Sequence, residues 1–276
     1  MPFRSVHLSL LFEEAHSADT CTSYAIGFCE REKAGLTAYL AVPLMAILSG
    51  RIIPLVRALT DEVNAERHNN ALEAERRIET AARLAGIIAE THIVQNIWVE
   101  ARNRLVAAAR LADVIILPKS AEFFSLERDL IEAMIFTSGR PVILVPANWT
   151  GTGSNQRIIV AWDGSARAAR AVGDAMPLLA KAEKVEIVCV TSEASKAIAG
   201  ADLAAHLSRH CRGVTLTELQ LEHADAARAL QDHAGNVKAD LLVMGAFAHA
   251  RVLQMVLGGV TSTMLDEAEL PIFFSY

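Results

Sequence analysis

The feature that most restricts the fold of this sequence is an internal repeat with a period of about 130 residues. The segment ADVIILP at 112–118 matches ADLLVMG at 239–245, and GRPVIL at 139–144 matches ELPIFF at 269–274. Each half ends on an apolar run that opens with proline, which the first position of a strand tolerates. The repeat therefore predicts two copies of one fold in a single chain.

Within each half, short apolar runs alternate with segments of helical spacing, which indicates a parallel sheet covered by helices on both faces. We expect two tandem Rossmann-like domains of the α/β class, each with a five-stranded parallel sheet. The predicted strands are 3–11, 36–42, 92–98, 113–118, 141–146, 157–162, 185–190, 214–221, 241–244 and 271–276. The predicted helices are 19–33, 60–89, 101–111, 126–137, 166–180, 201–210, 224–237 and 260–268.

A polar, glycine-containing stretch at 147–155 separates the two halves and predicts a linker. We place the domains at 1–147 and 156–276. The closing strand of each half needs a partner if it lies at a sheet edge. Pairing between the two halves, as a pseudo-dimer within the chain, or between two chains, as a homodimer, would supply that partner.

The charge distribution argues against nucleic-acid binding. The net charge is −6 and is shared evenly by the two halves, with no basic stripe. The apolar stretch 36–56 is interrupted by Pro43, Gly50 and Pro54, so we expect a buried strand and a loop rather than a membrane span. The four cysteines are scattered without a CxxC pair, which favours a cytoplasmic protein with reduced thiols.

Three strand ends of the second half are candidates for a ligand site, because open parallel sheets bind ligands beyond the carboxyl ends of their strands. The first strand ends in Ala161-Trp162-Asp163, the second ends near Val190, and the fourth ends in Met244-Gly245. The carboxylate of Asp163 is placed to accept hydrogen bonds from a ribose or to sit near a metal. Its alternative role is to cap the following helix together with Ser165.

The stretch 241–265, LLVMGAFAHARVLQMVLGGVTSTML, adds a strand, a glycine turn and a helix start. Glycine lets backbone N–H groups approach an anion closely, and the start of a helix adds positive dipole. Such an arrangement is typical of a phosphate-binding loop. The same glycines also fit ordinary turns and caps, and this alternative stays open on spacing alone.

The motifs VAWDGSARAARAV (160–172), ADLLVMG (239–245) and LGGVTSTML (257–265) resemble the universal stress protein family, and the repeat resembles a tandem member. The nucleotide-binding branch of that family carries Gly, two residues, Gly, nine residues, Gly, then Ser or Thr. Here Gly245 and Gly258 occupy two glycine positions, Ala248 replaces the other, and Gly259 replaces the hydroxyl residue. Thr261 follows two positions later.

The resemblance implies the adenine nucleotide α-hydrolase-like variety of the Rossmann fold and ATP, with Mg²⁺, in the second half. It places the adenine near Val190 and the ribose and phosphates near Asp163 and Gly245. The phosphates would lie against the helix start. The implied binding residues are Ala161, Trp162, Asp163, Val190, Met244, Gly245, Ala248, Gly258, Gly259, Val260 and Thr261.

The first half lacks this pattern. Pro118 stands at the place of Gly245, the stretch 119–130 contains no glycine, and Glu127 and Asp129 near the helix start would repel phosphate. We expect no triphosphate binding there, and either a scaffold role or binding of an apolar group near the loop 43–54.

Three functions remain open from the sequence. The first is a stress-response module that binds ATP in its second half. The second is a tandem stress protein without nucleotide that acts as an interaction scaffold. The third is a weak ATPase, although neither GxSxG, HExxH nor a complete P-loop occurs in the chain.

Overall fold

The computed structural model describes residues 2–13, 19–45, 54–120, 125–151, 156–192, 200–221, 225–246, 248–251, 254–257 and 259–276. In the first half, strands and helices alternate along the chain. They are β1 (Ser5–Leu11), α1 (Asp19–Glu32), β2 (Gly35–Pro43), α2 (Pro54–Leu84), β3 (Ala89–Asn96), α3 (Trp98–Ala109), β4 (Val114–Pro118), α4 (Leu126–Thr137) and β5 (Val142–Val145).

The second half repeats this order and adds a hairpin. Its elements are β6 (Arg157–Ala161), α5 (Ala166–Leu179), β7 (Lys184–Ser192), α6 (Gly200–Leu207), β8 (Val214–Leu221), α7 (Ala226–Asn236), β9 (Leu241–Gly245), β10 (Ala248–Arg251), β11 (Gln254–Leu257), α8 (Gly259–Glu267) and β12 (Ile272–Ser275). The predicted order of strands and helices is thus confirmed, and the hairpin of β10 and β11 is new.

Ten strands form one sheet in the order β3-β2-β1-β4-β5-β12-β9-β6-β7-β8. Each half contributes five parallel strands, and the halves join where β5 and β12 pair antiparallel, with Phe273 opposite Ile143. Since β5 also pairs with β4 and β12 with β9, neither closing strand has a free edge. The intrachain pairing that the sequence left as one alternative is therefore the arrangement found.

Helices cover both faces of this sheet. On one face α1, α2, α5 and α6 pack over buried strand residues, and on the other face α3, α4, α7 and α8 do so. The strands read as apolar runs because both of their faces are buried. Among the described helices, none has the length and apolar character that crossing a membrane requires.

The end of α2 and the start of β3 differ from the prediction. Helix α2 ends at Leu84 rather than near residue 89, because the chain turns at Gly86 with a φ of 68°, a conformation that glycine adopts readily. Ile88, assigned to the helix from its spacing, lies beyond the helix and is 80 % exposed. Strand β3 accordingly starts at Ala89 and not at residue 92.

Candidate functional site

A cavity of about 380 Å³ lies at the carboxyl ends of β6, β7 and β9, between the starts of α7 and α8. Its walls are mainly apolar. The lining residues are Ala161, Trp162, Asp163, Ala168, Val188, Val190, Ala226, Leu230, Met244, Gly245, Gly259, Val260 and Thr261. Nine of the eleven residues predicted from the sequence are among them, so the fold brings most of the predicted site to one place.

The carboxylate of Asp163 closes the turn between β6 and α5. Its Oδ1 accepts a hydrogen bond of 2.9 Å from the backbone N–H of Ser165. Ser165 is the cap of α5, because its Oγ accepts from the N–H of Ala168 at 3.1 Å. The predicted capping role therefore belongs to Ser165, whereas Asp163 holds the turn and remains exposed at the mouth of the cavity.

Gly245 is required by the packing of α5. A Cβ atom at this position would lie 2.7 Å from the carbonyl carbon of Arg167 and 2.8 Å from the backbone nitrogen of Ala168. Because these are backbone atoms of the first turn of α5, they have no rotamer through which to move away. The glycine that the sequence assigned to a phosphate loop thus also permits α5 to approach the end of β9.

The start of α8 forms another wall of the cavity. A Cβ atom at Gly259 would meet nothing within 4 Å, so this glycine leaves open space at the helix start. Thr261 is only 1 % exposed, although it also lines the cavity. The first N–H groups of a helix lack partners within the helix, which makes this wall suitable for an anion.

Two predicted residues cannot be placed in the same way. Gly258 lies outside the described residues, and Ala248 belongs to β10, whose backbone but not its side chains is described. In the hairpin, Ala248 is opposite Leu257 and Arg251 is opposite Gln254. The sequence did not predict this hairpin because residues 252–253 contain none of the Gly, Asn or Asp that mark two-residue turns.

Sequence reasoning missed four of the residues that line the cavity. One of them, Ala168 in the first turn of α5, lies within the motif at 160–172, and the other three lie outside every motif. Val188 comes from the middle of β7, while Ala226 and Leu230 come from the first turns of α7. No motif marks these residues, since they are ordinary members of the apolar face of a strand or helix. The helical spacing of Ala226 and Leu230, four residues apart, was the available signal.

Matching hydrogen bonds define the corresponding positions of the two halves. Oδ2 of Asp113 accepts from the backbone N–H groups of Arg4 and Ser5 at 2.7 and 2.9 Å. Oδ2 of Asp240 accepts in the same way from Gln156 and Arg157 at 2.9 and 2.8 Å.

This correspondence aligns Ser5 with Arg157, and therefore Ser9 with Ala161. Because Ser5 pairs with Gly35 and Arg157 with Lys184, Tyr39 takes the place of Val188.

The first half places aromatic rings where the second half has its cavity. The ring of Tyr39 stacks on His7 with a centroid distance of 4.8 Å and lies 4.9 Å from the ring of His92. Nε2 of His7 and Oγ of Ser9 form a buried hydrogen bond of 2.7 Å. Burial lowers the pKa of His7 to about 3, so the imidazole is neutral at physiological pH.

The start of α4 also differs from the start of α8. Asp129 precedes the closing strand by the same number of residues as Gly259 does in the second half. Its carboxylate accepts a hydrogen bond of 2.7 Å from Nε1 of Trp98 and pairs with Arg102 at 2.8 Å. The first half therefore has the carboxylate of Asp129 near the position that corresponds to Gly259, beside which the second half has open space.

Comparison with known proteins agrees with this fold. Residues 154–274 match the model of the Universal stress protein family. The second half of the chain is thus similar to this family. No curated protein matches the sequence.

Among the solved structures that match almost the whole chain, two are described as universal stress proteins. One is a universal stress protein from Archaeoglobus fulgidus DSM 4304, at 17 % identity and a TM-score of 0.72, covering 98 % of this chain and 97 % of that one. The other is a putative universal stress protein from Pseudomonas aeruginosa UCBPP-PA14, at 15 % identity and a TM-score of 0.55, covering 99 % and 93 %. At these identities the likeness concerns the fold, and it covers both halves of the chain.

Proposed function

We propose that this chain is a tandem universal stress protein whose second half binds an adenine nucleotide, ATP with Mg²⁺, in the cavity between β6, β7, β9 and α8. The convergence of nine sequence-predicted residues on one cavity carries the proposal. A bound nucleotide would act as a signal that changes the contacts of a stress-response module. Among the described residues, none from the first half lines the cavity.

The chemistry of the walls suits the parts of a nucleotide. Apolar side chains such as Val188, Val190 and Leu230 suit the flat faces of a purine, and the volume lies within the range of about 300–1,000 Å³ typical of ligand pockets. Asp163 supplies the carboxylate that a ribose hydroxyl or Mg²⁺ prefers. Gly259 at the start of α8 leaves room for phosphate.

Binding rather than turnover is the activity that these residues support. Among the described residues that line the cavity, neither Lys, Arg, His nor Cys occurs, and Asp163 is the sole carboxylate. Catalysis of phosphoryl transfer depends on positioned cations that neutralise developing charge. The described lining therefore favours a sensor that retains ATP over an ATPase that consumes it.

A scaffold without nucleotide is the second candidate, and two observations favour it. Asp163 already uses one oxygen to hold the turn before α5, and Thr261 is buried within the packing of α8. Both residues thus have structural roles that would keep them in place without any ligand.

Calorimetry on the full chain separates these candidates. Protein freed of bound nucleotide is titrated with Mg-ATP, and we expect saturable heat at micromolar to high micromolar ATP. The variant Asp163→Asn can retain the turn hydrogen bond and loses the charge, so it should weaken Mg-ATP binding while leaving the fold intact. The absence of heat with the wild-type chain would support the scaffold, and unchanged binding by Asp163→Asn would move the site elsewhere.

A further inference from the structure

The carboxyl end of α8 carries an unfavourable concentration of negative charge. Its last turn contains Asp266 and Glu267 and no basic residue, and Glu269 follows before β12. The carboxyl end of a helix is the negative end of its dipole, so acidic groups there destabilise the helix unless cations lie nearby. The opposite end of the same short helix forms a wall of the cavity.

The first half supplies a buried cation at this end. Arg128 of α4, which is only 3 % exposed, donates from Nη1 to Oδ1 of Asp266 and from Nε to Glu132 at 2.8 Å. Removing Arg128 would take this cation away from the carboxylates of Asp266 and Glu132, which are 33 % and 38 % exposed, and the acidic end of α8 would lose a positive charge that offsets it. Arg128 therefore holds the last turn of α8 at a defined place against α4.

Lys119 at the end of β4 adds a second positive charge from the first half. Burial lowers the pKa of Lys119, and among the charges that oppose this shift Asp266 acts most strongly. Lys119 and Arg128, which both act on the acidic end of α8, thus belong to the other half of the chain.

The second oxygen of Asp266 connects this contact with the cavity. Oγ of Ser262, one turn earlier in α8, donates to Oδ2 of Asp266 at 3.5 Å. Ser262 directly follows Thr261, which lines the cavity. A displacement of Asp266 is therefore transmitted along a helix of nine residues to the cavity wall.

We propose that Arg128 of the first half is a positioning residue for the ligand site of the second half: through Asp266 it holds α8 and so sets the affinity of the cavity. The effect on affinity rests on the proposed nucleotide binding, whereas the effect on α8 does not. The first half, which has aromatic rings at the place of the cavity, thus contributes to the function of the second half by holding α8 through Arg128.

Amide hydrogen exchange of α8 in the full chain without nucleotide tests the positioning step. Arg128→Met should raise exchange in residues 259–267 by about tenfold, since a cation at the end of a helix stabilises it. Asp266→Asn, a milder change at a residue that is one-third exposed, should also raise this exchange. It replaces Arg128→Met in the test if Arg128→Met does not fold. Exchange in α8 equal to that of the wild type in the folded variants would overturn the proposal.

A second ion pair between the halves provides the matched control. Nζ of Lys181 lies 2.6 Å from Oε2 of Glu32, and neither residue lines the cavity or belongs to α8. Glu32→Gln should leave the exchange of α8 and the affinity for Mg-ATP unchanged. If Glu32→Gln alters both as much as Arg128→Met does, the effect is a general loosening of the halves and the proposal is wrong.

Titration with Mg-ATP then tests the effect on affinity. Arg128→Met and Asp266→Asn should each raise the Kd by about 5- to 10-fold, which is the usual size of coupling between sites. The double variant should bind no more weakly than either single one, and Arg128→Lys should recover part of the affinity. Equal Kd values for the wild type and Arg128→Met would overturn the proposal, whereas a wild type that binds no ATP would overturn the proposed function and leave the exchange result standing.

Discussion

The two halves of this chain share strand order and helix placement, but they differ in the side chains at the carboxyl ends of corresponding strands. In the second half, small residues at Ala161 and Val188 leave a cavity of about 380 Å³. At the corresponding positions of the first half, Ser9 bonds to His7, and Tyr39 stacks on the same histidine. A few side chains on a shared strand order thus decide whether a cavity or stacked rings lie at these strand ends.

The last helices of the two halves, α4 and α8, also differ near their starts. Near the start of α4, Asp129 is bound by Trp98 and Arg102, and near the start of α8, Gly259 leaves space. In the first half the anion is the carboxylate of Asp129, whereas in the second half the space beside Gly259 has room for the anionic group of a ligand. Exchanging residues between corresponding positions therefore provides direct tests.

The largest effect is expected when Val188 is replaced by tyrosine, the residue that the first half has at the corresponding position, Tyr39. In Val188→Tyr the ring should occupy the cavity, and Mg-ATP affinity should fall by more than about 100-fold, equivalent to about 2.7 kcal/mol. Calorimetry measures the loss, and circular dichroism verifies the fold.

Val188→Ile adds a single methylene and should reduce the affinity to an intermediate degree. Wild-type affinity in a folded Val188→Tyr variant would contradict the location of the site.

Replacing His7 and Ser9 by their second-half counterparts should change the acid stability of the first half. Because the folded pKa of His7 is about 3 and the unfolded value about 6.5, the unfolded state binds more protons between these values. The free energy of unfolding therefore falls as the pH is lowered through this window, by on the order of 2–3 kcal/mol at pH 4.

His7→Ile/Ser9→Ala removes both partners of the hydrogen bond and should make the free energy of unfolding depend less on pH in this window. Urea unfolding at several pH values measures it, with His92→Gln at an exposed position as the control. A double variant with the wild-type pH slope would show that His7 does not titrate in this way.

Gly245→Ala should destabilise the second half, because the added Cβ would lie 2.7 Å from the backbone of Arg167. Overpacking of this kind costs about 1–3 kcal/mol. Thermal unfolding should show a Tm lowered by several degrees. Gly259→Ala, where a Cβ meets nothing within 4 Å, is the control and should leave the Tm unchanged or slightly raised.

Gly259→Asp gives α8 the residue that Asp129 provides in the first half. A carboxylate at the helix start should repel phosphate and lower Mg-ATP affinity by about tenfold, or about 1.4 kcal/mol. Adenosine, which has no phosphate, should bind nearly as well as to the wild type. Equal losses for ATP and adenosine would instead indicate that the side chain blocks the cavity itself.

The repeat and the alternation of apolar runs were sufficient to predict the class of fold and the order of strands and helices along the chain, apart from the hairpin of β10 and β11. Helix α4 has the predicted bounds 126–137, and its start carries a serine cap and an acidic first turn, which are local signals of a helix start. The end of α2 was predicted five residues too late because Ala85 and Ile88 continue a helical spacing that the turn at Gly86 interrupts.

The candidate site was predictable at motif residues such as Asp163 and Gly245 and at the strand end Val190. It was not predictable at apolar residues outside the motifs and strand ends, such as Val188 and Leu230. The structural role of Gly245 depends on the approach of α5, a contact between segments about 80 residues apart. The link from Arg128 to Asp266 spans the two halves and leaves no local pattern in either segment.

Native mass spectrometry of the nucleotide-free full chain incubated with Mg-ATP tests most directly the claim that the halves differ in binding. The account predicts that saturating ATP adds the mass of a single nucleotide to each chain, and that Val188→Tyr abolishes this addition. Two nucleotides per chain, none, or one that persists in Val188→Tyr would contradict it.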